Sequence, residues 1–501
     1  MWGLLAAVVL GAALRFFRIG HQSLWVDEIL TLQASEVGGT LTPVALFRNT
    51  QGPLHAFLVH VLSKMSTAEW VLRSLSAAFG VAAIPIAYLL GRETADRATG
   101  VLAAFILALS PFAIWYSQEV RNYALLIFFA GLSTWLLARV LNGRGRPWPA
   151  YGISIYLAVL CNLSAVFLVA GHLVAVIWRA RERRDLLPKW ILVVVLVAAA
   201  CGPWIWGLGV WVSEDGVAER VTVAPMAEDS ALLRGATTFT PAAVPYALYT
   251  LSYGYSLGPT AAELHTGSPS DAFRHHAPLV APAALVAAAL VLPGVGALLR
   301  RRTSLILLGA VILLPLVGAV AMGVLNIKPF NPRYVSAIIP VLAVLGAGGA
   351  RALGRRFGTL LLGLFALFCV LSFTNYAFRP GYWREDVRSA AAHVEARERP
   401  GDTVLAPVVA DVFAHYFDGD SPGFLLYPGQ AGSDGEVAAR IEAGIAGRER
   451  LWHVSARPWH ADPDGRIPFY LDSRFERVEV AEYPGVRVTL YDLGVGETPA
   501  E

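Results

Sequence analysis

Long apolar runs recur about eleven times along this chain, most of them near the ~20 residues that a membrane-spanning helix requires. They fall at 1–18, 70–91, 98–116, 121–141, 148–161, 162–178, 189–210, 279–299, 303–324, 333–350 and 357–375. Only 15% of the 501 residues are charged, against about 25% in an ordinary soluble domain. The chain therefore reads as an all-α polytopic membrane protein. The N-terminus lacks a basic n-region and a small-residue cleavage site, so its first run is expected to stay as a helix.

The charges left over orient the runs. Basic clusters lie at Arg92 and Arg97, Arg144 and Arg146, Arg179 to Lys189, Arg300 to Arg302, and Arg351 to Arg356. With the spans above, every cluster falls on one side, which the positive-inside rule makes cytoplasmic. A net charge of +3 gives no reason to expect a nucleic-acid partner. Cys161, Cys201 and Cys369 each sit inside an apolar run and read as small core residues.

The opposite side holds a long first loop at 19–69, a short loop at 117–123, a long loop at 211–278, a short loop at 326–334, and the segment after 375. Two apolar pieces in the first loop, Leu24–Ala34 and Pro53–Met65, suit interfacial helices, with Trp25 and Trp70 as aromatic-belt residues. From 376 to 501 charge, glycine and proline rise. Helix-like Arg384–Glu398 and Glu436–Ala446 alternate with strand-like Thr403–Val409, Leu451–Ser455, Arg477–Glu482 and Val486–Tyr491. The expected organisation is a transmembrane module over 1–375 and a small extracytoplasmic α/β domain over 376–501.

Ionisable residues near hydrocarbon are costly and usually functional. Asp27 and Glu28 form a carboxylate pair behind Trp25, which reads either as an N-terminal helix charge or as a chemical group. The same side also offers Glu119 with Arg121, and Lys328 with Arg333 and Tyr334. Glu119 and Tyr123 share a face if their loop is helical. Carboxylates can take a proton from an attacking group, and cations at span ends can hold a phosphate leaving group. The plainer readings are a surface Glu119–Arg121 pair and a snorkelling Lys328. His55 with His60, and His275 with His276, have no convincing zinc-ligand spacing, so a His-ligated metal is the less favoured reading, and a divalent cation held by acids and the donor phosphate stays open.

These residues resemble a known group. Arg15–Gly20 followed by Ser23–Glu28, Gly52–His55, Arg73–Gly80, Tyr88–Arg92, Ser110–Tyr123, Asn331–Tyr334 and Tyr382–Asp386 resemble segments of family 39 glycosyltransferases. That is the protein mannosyltransferase and aminoarabinose transferase-like group of the GT-C fold. The resemblance is good over 10–141, thin over 142–325, and returns at 326–345. It implies a hexosyl- or pentosyltransferase that moves sugar from a polyprenyl-phosphate donor with inversion, on the periplasmic side of a bacterial inner membrane. The acceptor would be a lipid, a glycan or a protein.

By that resemblance Asp27 would be the general base, and Glu28 and Glu119 its acidic companions. Lys328, Arg333, Tyr334 and Arg121 are expected at the donor phosphate, and His55, Tyr123 and Arg73 at donor or acceptor contacts. His55 replaces an aromatic residue of the family pattern. A transporter or flippase of lipid-linked sugars is the alternative, but no internal repeat is visible and the charges gather at one face.

Overall fold

The structure, a computed structural model, describes residues 2–35, 52–214, 239–325, 327–424 and 433–494. Parts of the 19–69 and 211–278 loops thus lie outside the described residues. Among these, seven helices are long and apolar enough to cross a membrane: Glu69–Thr94, Tyr123–Leu141, Leu186–Leu208, Pro269–Leu298, Arg302–Val324, Pro332–Ala352 and Gly354–Phe378. The pair Arg97–Leu109 and Pro111–Ser117 makes an eighth, bent by 58°. Trp2–Phe16, Trp148–Cys161 and Ala165–Ala180 are apolar but shorter.

The bend has a clear cause and positions the site. Pro111 has no amide hydrogen and cannot continue the helix that ends at Leu109. Ser110 caps the next helix by accepting from the Ala113 amide at 3.3 Å. The break strands carbonyls at the end of the first piece, and buried Arg15 of the first helix satisfies them, bonding Leu107 and Ala108 carbonyls at 3.0 Å each. Gly80 lets the turned piece come close, because a Cβ there would lie 2.0 Å from Ser117 Oγ. Gln118 then ties the following turn to the first helix through the Arg15 and Phe17 carbonyls, both at 2.9 Å.

The basic clusters meet at the far end of the bundle. Arg144 lies 3.5 Å from Glu93, Arg351 pairs with Asp96, and Ser304 beside the 300–302 cluster donates to the Thr94 carbonyl at 3.1 Å.

The C-terminal region contains a five-stranded sheet in the order β2-β1-β3-β5-β4. The strands are β1 Asp402–Leu405, β2 Gly423–Phe424, β3 Arg450–Ala456, β4 Glu476–Tyr483 and β5 Val486–Asp492. β1 pairs in parallel with β2 and β3, while β5 runs antiparallel between β3 and β4. One sheet face packs on helices Val387–Glu395 and Ala410–Tyr416. That core also takes in Leu24, Ile29, Leu32, Val59, Leu72 and Val120 from the membrane module.

This shared core changes the reading of the first loop. Helix Val26–Ser35 buries Glu28, Ile29, Thr31, Leu32 and Ser35 between the two regions instead of lying on a membrane surface. Trp25, expected in an aromatic belt, is only 7% exposed, whereas Trp70 is 60% exposed.

Candidate active site

A cavity of about 370 Å³ opens where the bent helix, the loop at 254–266, the 331–333 turn and the C-terminal region meet. Aromatic rings dominate its wall: Trp25, Trp115, Trp383, Trp459, Tyr116 and Tyr255 among them. Three guanidinium groups join them, Arg333, Arg384 and Arg457.

Two carboxylates stand behind this wall, each held by one of those cations. Asp27 Oδ2 accepts from Arg333 at 2.7 Å and lies 3.6 Å from Arg121. Arg121 is aimed by bonds to the Asp27 carbonyl at 3.0 Å and to Thr31 Oγ1 at 3.1 Å. Glu119 accepts from Trp115 Nε1 at 2.7 Å and pairs with Arg384. The Arg384 guanidinium lies between two indoles, 3.8 Å from the Trp25 centroid and 4.7 Å from that of Trp115.

The environments drive the two carboxyls apart. Burial pushes Asp27 upward, but Arg121 and Arg333 outweigh it and hold it below the ordinary aspartate range. For Glu119 burial dominates, and Arg384 only partly offsets it, so this carboxyl sits above the usual glutamate range. Two neighbouring acids with opposed shifts are a feature of acid–base sites.

Several buried polar atoms around the cavity have no hydrogen-bond partner among the described residues: Trp25 Nε1, Trp383 Nε1, Arg333 Nε, Arg384 Nε and Glu119 Oε2. Buried polar groups are normally paired, so a cluster of orphans on one cavity marks a place for a ligand.

The other candidate residues divide. Tyr123 is buried with Arg121 and Arg333 over its ring at 5.9 and 6.0 Å, so it steadies both cations. It does not share a helix face with Glu119, because the helix begins only at Tyr123. Lys328 lies over the Tyr334 ring at 4.5 Å, and Arg333 over the same ring at 5.5 Å, but Lys328 is outside the cavity wall.

Glu28 and Arg73 depart from the expected role. Arg73 Nε and Nη2 bond both Glu28 oxygens at 2.9 and 2.7 Å, and the Val120 amide adds a bond at 2.7 Å. Arg73 also bonds the Ile19, Gln22 and Ser23 carbonyls at 2.8–3.0 Å. Both are enclosed and saturated, so they clamp the loop that carries Asp27 and cannot reach a substrate. His55 is likewise buried and absent from the cavity wall.

Among the described residues no group of three or more His, Cys, Asp or Glu side chains could hold a metal ion. His60 bonds the Ser35 carbonyl at 2.9 Å, and His276 lies 3.2 Å from Glu263.

Arg384, Arg457, Trp115 and Trp459 were not anticipated as site residues. Trp383-Arg384-Glu385 offered a signal, since a cation between a tryptophan and an acid directly after the last span faces the same side as Asp27.

The aromatic, cation-lined cavity lies between a membrane-spanning helix bundle and the C-terminal α/β region. The chain has a GT-C, ArnT-like fold. Residues 50–206 match the family described as dolichyl-phosphate-mannose-protein mannosyltransferase. ArnT from Cupriavidus metallidurans bound to undecaprenyl phosphate is similar over 97% of each chain, with a TM-score of 0.56 and 13% identity. The archaeal oligosaccharyltransferase AglB from Archaeoglobus fulgidus, in complex with an inhibitory peptide and a dolichol-phosphate, is similar over 99% of this chain and 74% of its own. Its TM-score is 0.55 and its identity 15%. No curated protein matches in sequence.

Proposed function

We propose that this chain is an inverting glycosyltransferase of a bacterial inner membrane, with its cavity and C-terminal domain on the periplasmic side. The donor is a sugar on polyprenyl phosphate, hexose or pentose, and the acceptor a lipid, glycan or protein. The observation that carries the reading is the ring of unpartnered buried donors around a cavity already lined by Arg333, Arg384 and Arg457. Such a wall suits a phosphate beside a sugar ring, because guanidinium forks match phosphate oxygens and indole faces match apolar sugar faces. The lipid phosphates bound by the two structural relatives support the same donor class.

The reaction follows from the pairs. A donor phosphate entering between Arg333 and Arg384 competes for the cations that now neutralise Asp27 and Glu119. Arg333 drawn toward phosphate leaves Asp27 more basic. The acceptor hydroxyl or amine then forms its bond to the anomeric carbon from the face opposite the phosphate and gives its proton to Asp27. The bond from that carbon to the phosphate oxygen breaks, and the electron pair leaves on polyprenyl phosphate, which the guanidinium groups stabilise.

The test is transfer of radiolabelled sugar from polyprenyl phosphate to membrane acceptors. Asp27→Asn is expected to lower turnover about 10²–10⁴-fold while donor still binds. Normal turnover in that variant removes Asp27 from the mechanism. Movement of unchanged lipid across vesicles, with no sugar transferred, would establish a flippase instead.

A further inference from the structure

A second cavity, about 640 Å³, lies on the C-terminal domain. Its floor is the sheet face opposite the one that packs on Val387–Glu395. Strand register sets three cross-strand rows there: Leu451–Tyr491–Arg477, His453–Thr489–Val480 and Ser455–Arg487–Glu482. Helix Arg466–Arg474 covers only the first row, through Ile467 and Leu471. Past that helix the second and third rows face the cavity as a strip, about 7 Å from one to the other at ~3.3 Å per strand residue.

The chemistry of the strip is specific. His453 and Thr489 are each only 5% exposed. Neither they nor Ser455 make a side-chain hydrogen bond among the described residues, yet all three line the cavity. Burial draws the His453 imidazole down to about 4, so near neutral pH it is uncharged, one donor and one acceptor. The charges at the rim cancel. Arg487 bonds Glu482 Oε1 through Nε and Nη2 at 3.0 and 2.7 Å, and Arg477 pairs with Asp472. Two cations and two anions paired in place leave no net charge to attract an anionic lipid or an acidic polymer. Trp459 supplies a flat aromatic face at the edge.

The strip also leads to the active-site cavity. Trp459 lines both, and its ring stacks on His265 of the short helix Ala261–Thr266 in the first cavity's wall, 4° from parallel. At the hairpin end, Gly485 abuts Glu385, a residue of the first cavity wall.

We propose that this sheet face is a binding site for a neutral, hydroxyl-rich glycan, an acceptor chain whose growing end passes Trp459 into the transfer site. The unpaired neutral donors and acceptors of His453, Thr489 and Ser455, beside the Trp459 edge, suit sugar hydroxyls. Its role as an acceptor site rests on the proposed transferase reading, but binding itself does not.

The test uses the full-length protein in nanodiscs, titrated calorimetrically with neutral mannooligosaccharides and galactooligosaccharides, with oligogalacturonate and an unglycosylated peptide as comparisons. Saturable binding of a neutral oligosaccharide is expected. Thr489→Val, nearly isosteric, is expected to weaken it about tenfold with the unfolding temperature held, and His453→Ala to weaken it as well. Asp27→Asn should leave it unchanged. No binding of either neutral series, equal binding by the Thr489→Val and Trp459→Ala variants, or a preference for oligogalacturonate or peptide overturns the proposal. Should Asp27→Asn still transfer sugar while oligosaccharide binding is intact, the transfer mechanism fails and the glycan site stands.

Discussion

Neighbouring Asp27 and Glu28 have opposite fates, decided by which way each side chain leaves the helix start. Glu28 faces Arg73 in a dry clamp with both oxygens occupied, while Asp27 faces the cavity cations. Glu28→Ala should cost about 3–5 kcal/mol, because it leaves a buried guanidinium without its counter-charge. Thermal unfolding in detergent checks this, and an unchanged unfolding temperature would contradict the clamp. Asp27→Asn, by contrast, is expected to stop transfer with the fold retained. From sequence the two acids could not be separated, since what distinguishes them is Arg73, 45 residues away. Arg384 offers a second test. It lowers Glu119, so Arg384→Gln should let burial raise that carboxyl further. If transfer requires ionised Glu119, the acid limb of the pH–rate profile moves to higher pH. The stability sign agrees: a carboxyl raised in the fold loses stability as pH climbs between its unfolded and folded values, and the loss extends to higher pH in the variant. An acid limb that stays in place would detach Glu119 ionisation from the rate.

At the level of elements, the Ser110-Pro111 break converts one apolar run into a spanning helix and a turned piece that delivers Trp115, Tyr116 and Glu119. Hydropathy sees a single run there, at 98–116, because a 58° bend changes no composition. Pro111 was visible, but the direction of the turn depends on Gly80 and Arg15, which lie on other helices. The same limit explains the first loop: an amphipathic pattern shows that Val26–Ser35 has an apolar face, not whether lipid or a protein core covers it. Pro111→Ala should allow the Arg97–Leu109 helix to continue and satisfy its own carbonyls at Leu107 and Ala108. Expected is an unfolding temperature held or raised together with transfer reduced about 10²-fold, since a misplacement of about 1 Å suffices for that. Parallel losses of stability and activity would show instead that the break is needed for folding.

Across the whole molecule, the C-terminal region forms one wall of the candidate site. Its Arg384 and Arg457 reach the cavity, and its core is continuous with the loop that carries Asp27. Strand and helix patterns after residue 375 showed that a small α/β unit was present. They carried no sign of where it docks, because docking depends on the opposite surface. The polar part of that joint centres on Glu69 Oε1, which accepts from Tyr416 at 3.0 Å and from Arg388 at 2.7 Å. The Tyr416 hydroxyl in turn accepts from the Leu24 amide at 2.7 Å, three residues before Asp27. Tyr416→Phe therefore orphans the Leu24 amide and removes one donor from Glu69, a loss of about 1–3 kcal/mol. Arg388→Gln removes the charged partner of the same oxygen. Because both act on one oxygen, their effects should not add, and a double-mutant cycle should give a coupling of about 0.5–3 kcal/mol. Hydrogen exchange at residues 24–28, read beside transfer rate, reports whether the joint and the site move together. Faster exchange there with slower transfer is the expected pair of results. Faster exchange with an undiminished rate would mean that the cavity keeps its geometry without the domain pressed against the loop.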